Sequence, residues 1–284
     1  MAFLQRYLFT GTLVLKTGLH IGSGWTVGSP SNNPVIRTPD GQPFIPGSSF
    51  KGAFRSTVEH LAPNTGLNSC RLMAGQGCAG AQGPEQKDFN ERLNSNTWDD
   101  ARLLSELDAV LCDTCKLFGS PYMASHIRFN DLLPAGETGT ADRMIQVRDG
   151  VAIDRDSEKA VDRLKYDYEV VAPAQTFRLE ILLEDPGEYD LALTCLGLQE
   201  FVNGYAYLGG KRSRGLGNCQ LDDLTVYELD LKDCTAKERV QRLRRYLLNK
   251  DIAAKMKKLS GAEAESFLQR HIESLPALQE AANA

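Results

Sequence analysis

Tyr7-Leu-Phe-Thr-Gly-Thr-Leu-Val-Leu-Lys16 alternates, with Leu8, Thr10, Thr12 and Val14 on one side and Phe9, Leu13 and Leu15 on the other. A two-residue period of this kind predicts a β-strand buried on at least one face. The stretch after it, Ile21 to Gly47, carries too many Gly, Pro, Ser and Asn residues for a helix and reads as an extended loop. Ser48 or Ser49 is then placed to cap a helix in which Phe50, Ala53, Phe54, Val58 and Leu61 share one face, with Lys51 and Arg55 pointing elsewhere. Further strands fit His126–Leu132 and Gln175–Glu184, a buried amphipathic helix fits Tyr189–Tyr205, and Gln220–Leu229 closes as a strand.

The order strand, helix, strands, helix, strand suits an α+β, ferredoxin-like core spanning residues 1–229. Two segments depart from it. Residues 64–111 are polar and acidic around a short amphipathic stretch at Trp98–Val110, and residues 141–172 form a charged, projecting excursion. Residues 230–284 read as a helical extension that meets a neighbouring protein. Thr235-Ala-Lys-Glu238 and Ser260-Gly-Ala-Glu263 both match the capping box.

The chain has 284 residues, 42% apolar and 24% charged, and is long enough for a sizeable core. No apolar run approaches the length of a membrane span, so no membrane partner is expected. Seven cysteines, an odd number, point to reduced or metal-bound thiols and a cytoplasmic setting. A net charge of −5 argues against non-specific coating of nucleic acid. The charge is uneven, however: residues 205–218 hold three cations and no acid, whereas residues 80–111 hold seven acids against three bases.

Three motifs carry chemistry. Gly209-Gly-Lys-Arg-Ser-Arg-Gly-Leu-Gly217 has the glycines that let amides converge on a phosphate, with Lys211, Arg212 and Arg214 supplying charge; the alternative is a surface turn. Ile45-Pro-Gly-Ser-Ser-Phe-Lys-Gly-Ala-Phe-Arg55 puts a helix N-terminus beside Lys51 and Arg55; the alternative is an ordinary helix with solvated cations. Cys112-Asp-Thr-Cys115 has the spacing of a zinc half-site, which Cys70-x7-Cys78 completes to a closed structural site. His60 is a possible substitute ligand, and four reduced thiols are the alternative.

Gly18-Leu-His-Ile-Gly-Ser-Gly24, Asn33-Pro-Val-Ile36, Pro43-Phe-Ile-Pro-Gly-Ser-Ser-Phe-Lys-Gly52 and Leu208–Gly217, in that order and spacing, resemble the backbone subunits of type III CRISPR effector complexes, members of the RAMP superfamily. The resemblance implies a modified ferredoxin-like (RRM-like) fold that stacks head to tail with neighbouring RAMP subunits and other effector proteins along a guide RNA. It implies that His20, Ser48, Ser49, Lys51, Arg55, Gly209, Gly210, Lys211, Arg212, Ser213 and Arg214 contact RNA. The excursion at 141–172 resembles the thumb hairpin that kinks the guide–target duplex. Cys112–Gly119 resembles an element near which such subunits hold zinc.

In family members that cut target RNA, an aspartate stands where this chain has Asn32. An amide cannot take a proton from a 2′-hydroxyl or hold a divalent cation as a carboxylate does, so the resemblance implies a subunit that holds target without cutting it. Two alternatives remain. One is a target-cutting subunit using another acid, Asp40, Asp154 or Asp156. The other is a precursor-processing endonuclease led by one of His20, His60, His126 and His271.

Overall fold

The computed structural model describes residues 4–24, 31–70, 78, 91, 99–136 and 144–276. Along the chain run β1 (Gln5–Leu15), α1 (Gly47–Leu61), α2 (Asp100–Val110), α3 (Asp113–Phe118), β2 (Ile127–Phe129), β3 (Ile145–Ile153), β4 (Ala160–Val171), β5 (Thr176–Glu184), α4 (Asp190–Val202), β6 (Cys219–Asp230), α5 (Ala236–Leu248), α6 (Ile252–Lys255), β7 (Lys257–Ser260) and α7 (Ala262–Glu273). β1 lies at the centre of an antiparallel sheet in the order β2-β5-β1-β6-β7, while β3 and β4 form a separate hairpin. With β7 set aside, β1-α1-β2-β5-α4-β6 has the connectivity and strand order of a ferredoxin-like core.

The alternation in β1 has its expected effect. Tyr7, Phe9, Leu13 and Leu15 are buried beneath the helices, and Leu8 faces the opposite side with Leu229, Leu231 and Met256. Under α1 and α4 the rings of Phe50, Phe54, Phe129 and Phe201 meet, with centroids 5.0 Å apart for Phe50 and Phe201 and 5.3 Å for Phe54 and Phe129. Each fully buried phenylalanine contributes roughly 1.5–3 kcal/mol by leaving water, and this cluster fixes α1 on the sheet.

Two details differ from the sequence reading. Neither Ser48 nor Ser49 caps α1: the helix starts at Gly47 after Pro46, and the Gly47 amide donates to the Asp131 carboxylate at 2.7 Å. A Cβ on Gly47 would lie 2.5 Å from the Phe129 carbonyl oxygen, so the helix start is pressed against the end of β2, where Asp131 follows. The tail, moreover, is not all helix. Thr235 and Glu238 form their capping box, but Ser260 ends strand β7, and α7 begins after Gly261 with no side-chain cap. Pairing with β6 extends Lys257–Ser260 although only Leu259 in it is apolar and buried.

The extension folds back on its own core. Phe267 of α7 packs beside Tyr7 and Phe9, with centroids 6.0 and 6.4 Å away, while Leu243, Tyr246 and Ile252 cover the opposite face of the sheet. Leu247 and Leu248 at the end of α5 stay exposed.

Candidate functional site

The lower half of β4 is held between two loops, and the strand period sorts its side chains between them. Asp167 and Glu169 face residues 31–37. The Asp167 carboxylate accepts from the Asn32 amide at 3.2 Å and from Asn32 Nδ2 at 2.5 Å. Asn33 Nδ2 donates to the Asp167 carbonyl at 3.1 Å. Glu169, only 2% exposed, accepts from the Val35 amide at 3.0 Å and from Arg37 at 2.9 Å. A carboxylate so buried is retained only because both oxygens are satisfied, one of them by a cation.

Tyr166 and Tyr168 face the other way, toward the glycine loop. Their rings stack at 6.2 Å, Lys211 Nζ lies 4.4 Å from the Tyr168 centroid, and Arg214 donates to the Tyr166 hydroxyl at 3.0 Å. His20 meets Tyr168 edge-on at 5.7 Å and donates from Nδ1 to the Glu169 carbonyl at 2.7 Å. The glycine loop rests on His20: the Gly210 amide donates to the His20 carbonyl at 2.9 Å. Gly209, at φ +70°, would place a Cβ 2.4 Å from that same oxygen, which makes the residue a geometric requirement.

The cations assembled from the sequence separate into four places. Lys211 and Arg214 stand over the hairpin tyrosines. Lys51 lines a depression of about 370 Å³ at the start of α1 with Gly47, Ser48, Ser125 and Arg128, and burial together with the nearby Arg55 lowers its pKa. Arg212 and Ser213 line a second depression toward the far end of α1, roughly 15 Å along the helix. Arg55 faces neither. It pairs with Glu59 at 2.6 Å and donates to Cys115 Sγ at 3.3 Å. Burial works against its charge, but the Glu59 contact and the Cys115 sulfur outweigh it and raise the pKa.

Cys70, Cys78, Cys112 and Cys115 come together with all four sulfurs within 4.8 Å of one another, and His60 is not in the cluster. Cys70 and Cys115 are 3.5 Å apart, and the Cys112 amide donates to Cys78 Sγ at 3.1 Å. Tetrahedral zinc with Zn–S bonds of about 2.3 Å needs sulfurs only about 3.8 Å apart, so the donor set fits a closed zinc site. Hydrogen bonds from Cys115 and Cys78 pull the Cys112 thiol far below its ordinary value, and the same contacts push Cys115 up. The cluster packs with Leu103, Leu107 and Leu111 of the insertion.

The structure does not bring the histidines together. His126 pairs with Asp190 at 2.5 Å, His271 packs on Phe267, and His60 lines the depression at the end of α1. Asp154 and Asp156 lie at the hairpin tip, roughly 20 Å along the strands from Asp167. The sequence reading missed Asp167, Glu169, Tyr166, Tyr168 and Arg128. The alternation of Tyr and acid in Tyr166-Asp-Tyr-Glu169 was the available signal.

A ferredoxin-like core with an inserted hairpin, a glycine loop seated on the turn after β1 and a helix opening on Pro46-Gly47 defines the class. The chain belongs to the RAMP superfamily, whose family model matches residues 12–220. It is similar to two curated proteins, each named CRISPR system Cms endoribonuclease Csm3. The one from Methanothermobacter thermautotrophicus is 27% identical over 262 residues, covering 80% of this chain and 88% of that protein. The one from Methanocaldococcus jannaschii is 25% identical over 241 residues, covering 78% of this chain and 80% of that protein. Among the described residues no helix is long and apolar enough to cross a membrane.

Proposed function

We propose that the chain is a backbone subunit of a type III CRISPR effector complex that holds guide RNA, shapes the guide–target duplex and leaves the target strand uncut. The RAMP match and the names of the two relatives support the first part. In this reading, the depression beside Lys51 and the glycine loop with Lys211, Arg212 and Arg214 grip the guide backbone, while base pairing reads sequence. The hairpin carries exposed Val147, Val151, Ile153 and Leu164, an apolar surface suited to wedging beside bases and to meeting neighbouring subunits. Zinc on Cys70, Cys78, Cys112 and Cys115 staples the insertion, supplying structure and no reaction, and Arg55 offsets its thiolate charge. The reduced thiols it needs suit the cytoplasm.

The observation that carries the non-cutting part is the bond from Asn32 to Asp167. The side-chain amide at the position of the missing acid donates from Nδ2 to the Asp167 carboxylate, which holds the loop on the hairpin, and it has no carboxylate to offer a 2′-hydroxyl or a metal ion. The test is target-RNA cleavage by the assembled complex in magnesium. The native subunit is expected to leave the bond beside it intact. Asn32→Asp alone sets two carboxylates against each other, so the new cut is expected in the Asn32→Asp, Asp167→Asn pair. Cleavage by the native subunit that survives Asn32→Ala overturns the reading.

One observation favours a target-cutting subunit instead: Asp167, not Asp40, Asp154 or Asp156, is the acid beside Asn32. That reading expects cleavage by the native complex and its loss in Asp167→Asn.

A further inference from the structure

The depression at the end of α1 has a lining unlike the rest of the cationic surface. It measures about 430 Å³ and is bounded by Ser56, Thr57 and His60 of α1, by Glu200 of α4, by Tyr205 and Tyr207, and by Arg212 and Ser213 of the glycine loop. Tyr205 is 71% exposed and Tyr207 42% exposed, and among the described residues neither ring meets another ring or a cation. The neighbouring tyrosines of β4 contrast with them, since Tyr166 and Tyr168 already hold Lys211, Arg214 and His20.

We infer that this depression is a nucleobase-binding site that takes one unpaired or end-exposed base of the bound RNA, stacked on Tyr205 or Tyr207. The inference rests on the RNA-holding reading above and adds to it a base-contacting pocket. Its size suits one nucleoside. Exposed aromatic faces beside a cation are the usual platform for bases, because every base offers a π-face. Glu200 at the rim disfavours a phosphate and accepts from a base amino group, while Ser56, Thr57, Ser213 and His60 supply further edge partners. The pocket is continuous with the glycine loop through Arg212 and Ser213. RNA held by that loop therefore has the pocket beside it.

The probe is a short single-stranded RNA carrying one 2-aminopurine, bound to the full chain, with a 4-thiouridine version for crosslinking. The expected results are quenching of the 2-aminopurine, a crosslink mapping to Tyr205 or Tyr207, and roughly ten-fold weaker binding in the Tyr205→Ala, Tyr207→Ala double variant. The Tyr205→Phe, Tyr207→Phe variant keeps the affinity, because stacking needs the ring and not the hydroxyl. If Lys211→Ala and Arg214→Ala weaken RNA binding while the alanine pair does not, the base pocket is wrong and the RNA-holding reading stands. If no variant alters binding, both fall. If the alanine pair changes only self-association, read by sedimentation, the tyrosines belong to an interface between copies and the inference is overturned.

Discussion

The insertion between α1 and β2 and the hairpin between β2 and β5 both leave the ferredoxin-like core as polar excursions, and different chemistry holds each of them to it. The insertion gathers four sulfurs and a small apolar cluster around Leu107 and Leu111, with Arg55 of α1 reaching across to Cys115. The hairpin has no cysteine and keeps Val147 and Ile153 in solvent, 58% and 63% exposed. Its root is fixed instead by oxygen and nitrogen partners around Asp167 and the buried Glu169. A segment that cannot bury enough apolar surface needs a point anchor. With the zinc proposed above, the sulfur anchor depends on metal and redox state, whereas the carboxylate anchor depends on charge.

The largest expected effect separates the two anchors. Stripping metal with a strong chelator, or Cys112→Ser with Cys115→Ser, should release one zinc per chain and open residues 64–115 to protease while residues 144–171 keep their protection. Structural zinc is worth about 10–16 kcal/mol in small zinc-finger peptides, so even a fraction of that outweighs the other changes considered. Equal loss of protection in both segments, or a purified chain with no zinc and an intact insertion, would break the distinction.

Next is Glu169→Gln, which keeps the shape and removes the charge that faces Arg37 and the Val35 amide. A loss of about 2–3 kcal/mol in denaturant unfolding is expected, because Arg37 is left partly buried without its counter-charge. Amide exchange should quicken at the hairpin root and in residues 31–37 and leave the cysteine cluster unchanged. Asn32→Asp is milder, about 1 kcal/mol, and has a defined sign. Two carboxylates sharing one place raise the pKa of one of them, so the penalty appears as pH rises through that raised value and vanishes when the pair is protonated. Asp167→Asn in the same chain should abolish this pH dependence.

These anchors differ in how far they could be read before the structure. Cys112-x2-Cys115 was legible because two thiols at that spacing in a reducing setting have few other uses, and Cys70 and Cys78 fell into place with them. The core was legible because β1 alternates with period two and α1 has a clear apolar face. Glu169 was not legible, since an acid in a charged, alternating strand reads as a solvated residue until the loop that covers it is known. The cap on α1 comes from Asp131, 84 residues away, and no local pattern announces that. Arg55 misled for a related reason: a cation on the first turns of a helix beside a glycine-rich motif suggests phosphate, and only the fold turns it toward Cys115 and Glu59.

The smallest effect tests the seam where the insertion rejoins the core. The His126 amide donates to the Leu117 carbonyl of α3 at 3.1 Å, and its ring pairs with Asp190, which is 3% exposed at the start of α4. The hydrogen bond to Asp190 outweighs burial and, with the carboxylate charge, raises the pKa of His126 above its ordinary value. The pair therefore stabilises the fold fully below about pH 6.5, the unfolded value, and the contribution is lost as pH rises through the higher folded value. About 1 kcal/mol is expected. Raising the pH should lower the amide protection factors, taken relative to the intrinsic exchange rate at each pH, at residues 112–126 and leave those of residues 160–171 unchanged, and His126→Gln should remove that difference. If the hairpin root responds equally, the charge-dependent seam is not local to the insertion, and the two excursions are less independent than their separate anchors imply.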